Sequence, residues 1–162
     1  MLNGRQGRRC GRLIAVDISD YVLDLAKRLG AGHTVNPAKC DAKAAIYEIL
    51  PKGPDLVIES AGPIEGVRLM VSLLRRGTRW NVFGITTHEK LELDGGLMHF
   101  LEARMDASFG TTPLAMEKAL MLMERGLVNP ELVISHRFPL AQIHKAVETM
   151  VARHRNKIVI NP

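Results

Sequence analysis

The sequence predicts an α/β fold built on parallel strands. Short apolar runs alternate with amphipathic helical segments along the whole 162-residue chain. That alternation calls for parallel strands joined by right-handed crossovers. One of the strands, DLVIES (55–60), carries an unbroken apolar run over Leu56, Val57 and Ile58, which suits a sheet covered on both faces.

The elements follow in order. RLIAVD (12–17) reads as a strand ending in an acid. SDYVLDLAKRLG then places Val22, Leu25, Ala26 and Leu29 on one helical face, with Ser19 as cap and Gly30 as stop. HTVN (33–36) is a short strand, and CDAKAAIYEIL (40–50) a helix ended by Pro51 and Gly53. After DLVIES and the turn AGP (61–63), a third helix buries Val67, Met70, Val71 and Leu74. TRWNVFG (78–84) is a strand, ITTHEKLELDGG an irregular segment, GLMHFLEAR (96–104) a short helix and MDASFG (105–110) a strand. Thr112 caps the next helix, Pro113 takes its first position and Gly126 stops it. VISHRF (133–138) is a strand. The helix over 140–153 is expected to bury Ile143, Ala146, Val147, Met150 and Val151, and KIVINP ends the chain as a strand. Met70, Met98, Met105, Met116, Met121, Met123 and Met150 fall mostly at helical spacing and read as core filler.

Composition narrows the function classes. Apolar residues make up 46% of the chain, ordinary for a globular protein. No apolar run approaches the roughly 18 residues of a membrane-spanning helix, so no membrane partner is expected. The formal net charge is +5, and Arg5, Arg8, Arg9 and Arg12 supply four of those charges, with no acid among the first twelve residues. Charge gathered in a short basic tail is not a nucleic-acid surface. Cys10 and Cys40 form no CxxC pair and suit a reducing cytoplasm. Histidines 88, 99, 136, 144 and 154 fall on separate elements, so no zinc site is expected within this chain. There is no nucleophile beside a base and no carboxylate pair at catalytic spacing, hence no catalytic residue is assigned.

In parallel α/β sheets ligands bind beyond the carboxyl ends of the strands. That singles out Asp17 and Ile18, Ser60 to Gly62, Phe83 to Ile85, and Ala107 to Gly110. Each also has a plain structural reading. Asp17 suits a helix cap, Ile18 and Phe83 suit core positions, and Ser60-Ala61-Gly62 suits a tight strand-to-helix turn.

Six segments then occur in a telling order: RLIAVDIS…LAKRLGAGHTVN, DLVIESAG, NVFGITT, DASFGTTP…KALMLMERGLVNP, ISHRFPLAQIHKAVETM and KIVINP. This series resembles the C-terminal half of the zinc-type medium-chain dehydrogenases, the group of alcohol, sorbitol and threonine dehydrogenases, from about Arg12 to Pro162. The resemblance implies a truncated Rossmann-type, doubly wound parallel sheet with a C-terminal strand-helix-strand extension. It divides the chain into a basic tail (1–11), a partial NAD-binding domain (12–128) and a segment (129–162) that packs with the catalytic domain in the full-length family. GRQGRRCG (4–11) is not the family's glycine loop, because its glycines are misspaced and too close to Asp17 for an intervening helix. The chain therefore looks like a shortened member.

The resemblance also implies roles. Asp17 would accept hydrogen bonds from the adenosine ribose and repel a 2′-phosphate, favouring NAD over NADP, and Ile18 would pack on adenine. Ser60, Ala61 and Gly62 would lie close to the riboses. Phe83, Gly84, Ile85, Ala107 and Ser108 would hold the nicotinamide, and Arg137 would meet a phosphate. Zinc is expected only in the full-length family. The implied function is the cofactor-binding part of an alcohol or polyol dehydrogenase, moving a hydride between a secondary alcohol and NAD. It would be incomplete as an enzyme alone and is expected to form a homo-oligomer through a sheet edge. Two other readings stay open. One is a non-catalytic remnant that only folds or oligomerises. The other is a methyltransferase-like sheet, which also ends its second strand in an acid but does not explain FG, SFG and KIVINP.

Overall fold

The computed structural model describes residues 11–84, 90–152 and 155–162. Among these residues Asp41–Thr111 form one compact unit, and the described residues up to Cys40 with those from Thr112 to Pro162 form a second.

The Asp41–Thr111 unit runs α2 (Ala42–Ile49), β3 (Leu56–Glu59), α3 (Ile64–Ser72), β4 (Arg79–Val82), α4 (Gly95–Phe100) and β5 (Arg104–Ala107). The strands form one parallel sheet in the order β3-β4-β5. The residues between them set the boundaries. Asp41 and Asp94 start α2 and α4 by accepting the amides of Ala44 and Leu97 with their side chains, satisfying donors that a helix leaves unpaired at its start. The core is the α3–β4 contact: Ile64, Val67 and Met70 close over Trp80, with Val57, Val71, Leu74, Val82, Leu91, Met98 and Met105 packed around them. The apolar stripe expected on this helix is thus the observed one.

The other unit contains β1 (Ile14–Val16), α1 (Asp20–Arg28), β2 (His33–Val35), α5 (Pro113–Glu124), β6 (Ile134–Pro139), α6 (Ile143–Met150) and β7 (Lys157–Asn161). β1 pairs with β2 and β6 with β7, both parallel. Leu23, Leu25 and Ala26 are the buried residues of α1. Gly30 ends the helix run at φ 100°, a left-handed conformation that suits glycine. Thr112 caps α5 by accepting the Ala115 amide, with Pro113 at the first helical position, as its sequence predicts.

Three packing expectations are corrected. In α6 only Ala146 is buried; Ile143, Val147, Met150 and Val151 are exposed. Helical periodicity gives the apolar face but not whether anything covers it. Met116, Met121, Met123 and Met150 are likewise exposed, so the methionines that fill a core are Met70, Met98 and Met105. In β3 the faces differ. Val57 packs into the core, whereas Leu56 and Ile58 stay 54% and 60% exposed, so that face is open rather than covered.

Candidate functional site: the carboxyl ends of the strands

In the β3-β4-β5 sheet the three strands end level. Glu59, Val82 and Ala107 are register partners, so Ser60, Phe83 and Ser108 leave the sheet side by side. The backbone ties the exits together. Phe83 and Gly84 both donate to the Glu59 carbonyl, at 2.8 and 3.0 Å, and Ser108 donates to the Val82 carbonyl at 3.0 Å. The Asn81 amide donates to the Ser108 hydroxyl at 3.0 Å. Of the residues singled out from sequence, Ser60, Ala61, Phe83, Ala107 and Ser108 are exposed here and Gly62 is buried. Phe83 is 57% exposed and therefore not a core residue. Ile85 lies outside the described residues.

Gly62 and Gly84 touch. A Cβ on Gly84 would stand 2.5 Å from the Gly62 nitrogen and 2.8 Å from its Cα. Gly62 itself has φ 99°, so glycine is required at one position by conformation and at the other by space. Beneath this contact lies a residue that sequence reading passed over. Glu59 is 5% exposed and accepts the amides of Ala61 and Gly62 on Oε1, at 2.8 and 2.9 Å. Its Oε2 is buried with no hydrogen-bond partner among the described residues. The available signal was an acid closing an otherwise apolar strand, DLVIE.

In the other unit, Asp17 follows β1 and is half-buried. Its amide donates to the Val35 carbonyl, and its Oδ1 accepts the Ser19 amide at 2.8 Å. The Ser19 amide thus donates to Asp17, and the Ser19 side chain makes no cap of its own. Ile18 is 74% exposed, an open apolar side chain rather than a core one. Asn36 fixes this strand end: its amide donates to the Ile18 carbonyl and to Asp20, and its side-chain oxygen accepts the Ala38 amide. Lys39 reaches Asp20 at 2.5 Å. The Lys39 bond, then the Asn36 bond, hold the Asp20 carboxyl below its ordinary range. Arg137, on β6, is exposed and paired with Glu131 at 2.5 Å. Among the described residues no group of three or more His, Cys, Asp or Glu side chains could hold a metal ion. No helix among them is long and apolar enough to cross a membrane.

The family model for zinc-binding dehydrogenases matches residues 7–125, well over half of the chain. The chain belongs to the zinc-binding dehydrogenase family. Its curated relatives include the L-threonine 3-dehydrogenase of Anaeromyxobacter sp. (strain Fw109-5), 26% identical over 152 residues, and that of Pectobacterium carotovorum, 27% identical over the same length. Each alignment covers 92% of this chain but 43% of the relative, so the chain spans less than half the length of the dehydrogenases it matches. Among solved structures it is similar to a zinc-binding dehydrogenase of Sinorhizobium meliloti bound to NADP. The TM-score is 0.87 and the identity 27%, over 94% of this chain and 46% of that one. An alcohol dehydrogenase of Thermotoga maritima gives a TM-score of 0.81 at 25% identity. Members of this zinc-binding dehydrogenase family thus share its Rossmann-like α/β fold, with no support for a methyltransferase.

Proposed function

We propose that this chain is the nicotinamide-dinucleotide-binding part of a zinc-type alcohol or polyol dehydrogenase, and that it takes NAD in preference to NADP. The observation that carries the reading is the level row of exits from β3, β4 and β5, closed by the Gly62–Gly84 contact, in a member of this family. Such a row offers backbone groups and small side chains where a flat ring can lie against the chain.

In this reading the adenosine end belongs to Asp17 and Ile18. Asp17 uses one oxygen on Ser19, so Oδ2 is available to accept a ribose hydroxyl, and the exposed Ile18 side chain covers the adenine. Ser60, Ala61 and Gly62 let the chain approach the riboses. Phe83, Gly84, Ile85, Ala107 and Ser108 hold the nicotinamide ring and its carboxamide, and Arg137 exchanges its surface pair with Glu131 for a phosphate. The bound nicotinamide supplies hydride chemistry; the residues named here bind and orient it. Zinc belongs to the part of the family's length outside this chain, and no step is assigned to it. Residues 12–128 carry the cofactor site and 129–162 meet the catalytic part. We place the chain in the cytoplasm, with a second copy pairing along a sheet edge such as β5, whose only ladder among the described residues is to β4.

The preference has an electrostatic basis. A carboxylate near a 2′-phosphate costs about 4 kcal/mol per unit charge at 4 Å in a surface-like dielectric, before salt screening. Titration of nicotinamide fluorescence should show saturable NADH binding at least about tenfold tighter than NADPH, and Asp17→Ala should close that gap. Equal affinities in the wild-type chain would refute the assignment of Asp17. No uptake at millimolar NADH would refute cofactor binding by this chain and favour a folded, oligomerising role.

A further inference from the structure

Glu59 is the most buried acid among the described residues and takes no direct part in the site above. Its carboxylate nevertheless reaches the β3 and β4 exits, two of the three in the row. Oε1 accepts the amides of Ala61 and Gly62. Oε2 lies 2.4 Å from where a Cβ on Gly84 would stand, and Oε1 3.1 Å from the equivalent point on Gly66 in the first turn of α3. The carbonyl of the same residue accepts the amides of Phe83 and Gly84. One residue thus binds the β3 exit with its side chain and the β4 exit with its backbone.

The reach of the side chain matters. Two amides converge on one oxygen, and that oxygen is delivered by a two-carbon stem from the last position of β3. Alanine removes the acceptor. Aspartate keeps a carboxylate but withdraws it by one methylene. Glutamine keeps an oxygen at full reach.

Resting on the cofactor reading above, we propose that Glu59 is a positioning residue of the dinucleotide site. Its buried carboxylate holds the Ser60–Gly62 turn and seats Gly84 against it, setting the spacing between the two chain segments that receive the nicotinamide half. It touches no ligand itself and acts through the backbone of Ala61, Gly62 and Gly84.

The test compares the full chain with Glu59→Gln, Glu59→Asp and Glu59→Ala by three measurements: hydrogen exchange at the Ala61 and Gly62 amides, NADH titration, and Trp80 emission as a check of the core. Glu59→Asp and Glu59→Ala should lose protection at both amides and bind NADH about tenfold or more weakly, the size of one charge-assisted bond, with Trp80 emission unchanged. Glu59→Gln should keep the protection and most of the affinity. Wild-type affinity and amide protection in Glu59→Asp overturn the proposal, as does an equal loss in folded Glu59→Gln. Should Glu59→Ala fail to fold, the aspartate and glutamine pair still decides. A wild-type chain that ignores NADH defeats the cofactor reading instead. Amide exchange then judges the clamp alone: protection retained without the Glu59 carboxylate overturns it, and protection lost in Glu59→Asp but kept in Glu59→Gln supports it.

Discussion

Gly84→Ala is the sharpest perturbation this site offers. The added methyl would stand 2.4 Å from the Glu59 carboxylate, 2.5 Å from the Gly62 nitrogen and 2.8 Å from the Gly62 Cα. Two of those three atoms are backbone, so no rotamer change relieves the clash. Ordinary contact needs the segments to part by about 1 Å, within the range where overpacking costs about 1–3 kcal/mol. Gly62 is buried at φ 99° and held by Glu59, which puts the cost at the upper end, about 3 kcal/mol. For a chain of this size that lowers the melting temperature by about 6–12 °C. Thermal unfolding followed by circular dichroism and Trp80 emission reads the shift, and a nicotinamide titration reads the displaced exits. Gly95→Ala is the control. A Cβ there meets nothing within 4 Å and the position opens α4, so it should be neutral or stabilising by up to about 1 kcal/mol. A Gly84→Ala protein that melts with Gly95→Ala would refute the close contact and the reasoning built on it.

Other outcomes follow from the same structure. Met70, 1% exposed inside the Trp80 cluster, should cost about 2–5 kcal/mol as alanine; Met121→Ala, 43% exposed, should stay within about 0.5 kcal/mol. Thermal melts of the two variants side by side check the distinction. Asp41→Ala removes the acceptor of the Ala44 amide and should cost about 0.5–2 kcal/mol, with Asp41→Asn restoring most of it. Asp20 is held below its ordinary value of 3.8, first by the Lys39 bond and then by Asn36. Its folded form thus binds protons less readily than its unfolded form. The stabilisation is fully present above about pH 3.8 and is lost as pH falls through the lower folded value. Lys39→Met should flatten that acid limb in urea midpoints measured from pH 5 to 2, by a small amount because the pair is exposed.

The order of elements and several of their ends were readable because they rest on local chemistry. Thr112-Pro113 starts α5 and Gly30 and Gly126 take left-handed angles wherever the rest of the chain lies. The Val67–Met70–Val71–Leu74 stripe was readable because its partner, Trp80, lies on the next strand. Exposure was not readable in α6, at Met116, Met121 and Met123, or on the Leu56–Ile58 face, since periodicity names an apolar face without naming its cover. Within the site, the sequence showed that Ser60, Phe83 and Ser108 end strands but not that the three ends are level. That depends on register between strands far apart in the chain. Glu59 escaped notice for a related reason. An acid at the end of an apolar strand reads as the first exposed residue, and only the folded turn supplies the two amides that hold it inside.

The place of Glu59 also gives the site a polarity. The start of a helix ordinarily attracts anions, because free amides and the helix dipole point there. In the turn just before α3 the chain has installed its own carboxylate, and the amides of Ala61 and Gly62 in that turn are already taken by it. A pyrophosphate laid across this end of the sheet would meet occupied donors and a like charge. If the cofactor reading proposed above holds, a dinucleotide crossing these exits would be sorted end for end: its anionic middle would be turned away from β3, and the end that carries positive charge in the oxidised cofactor would be the one this edge accepts.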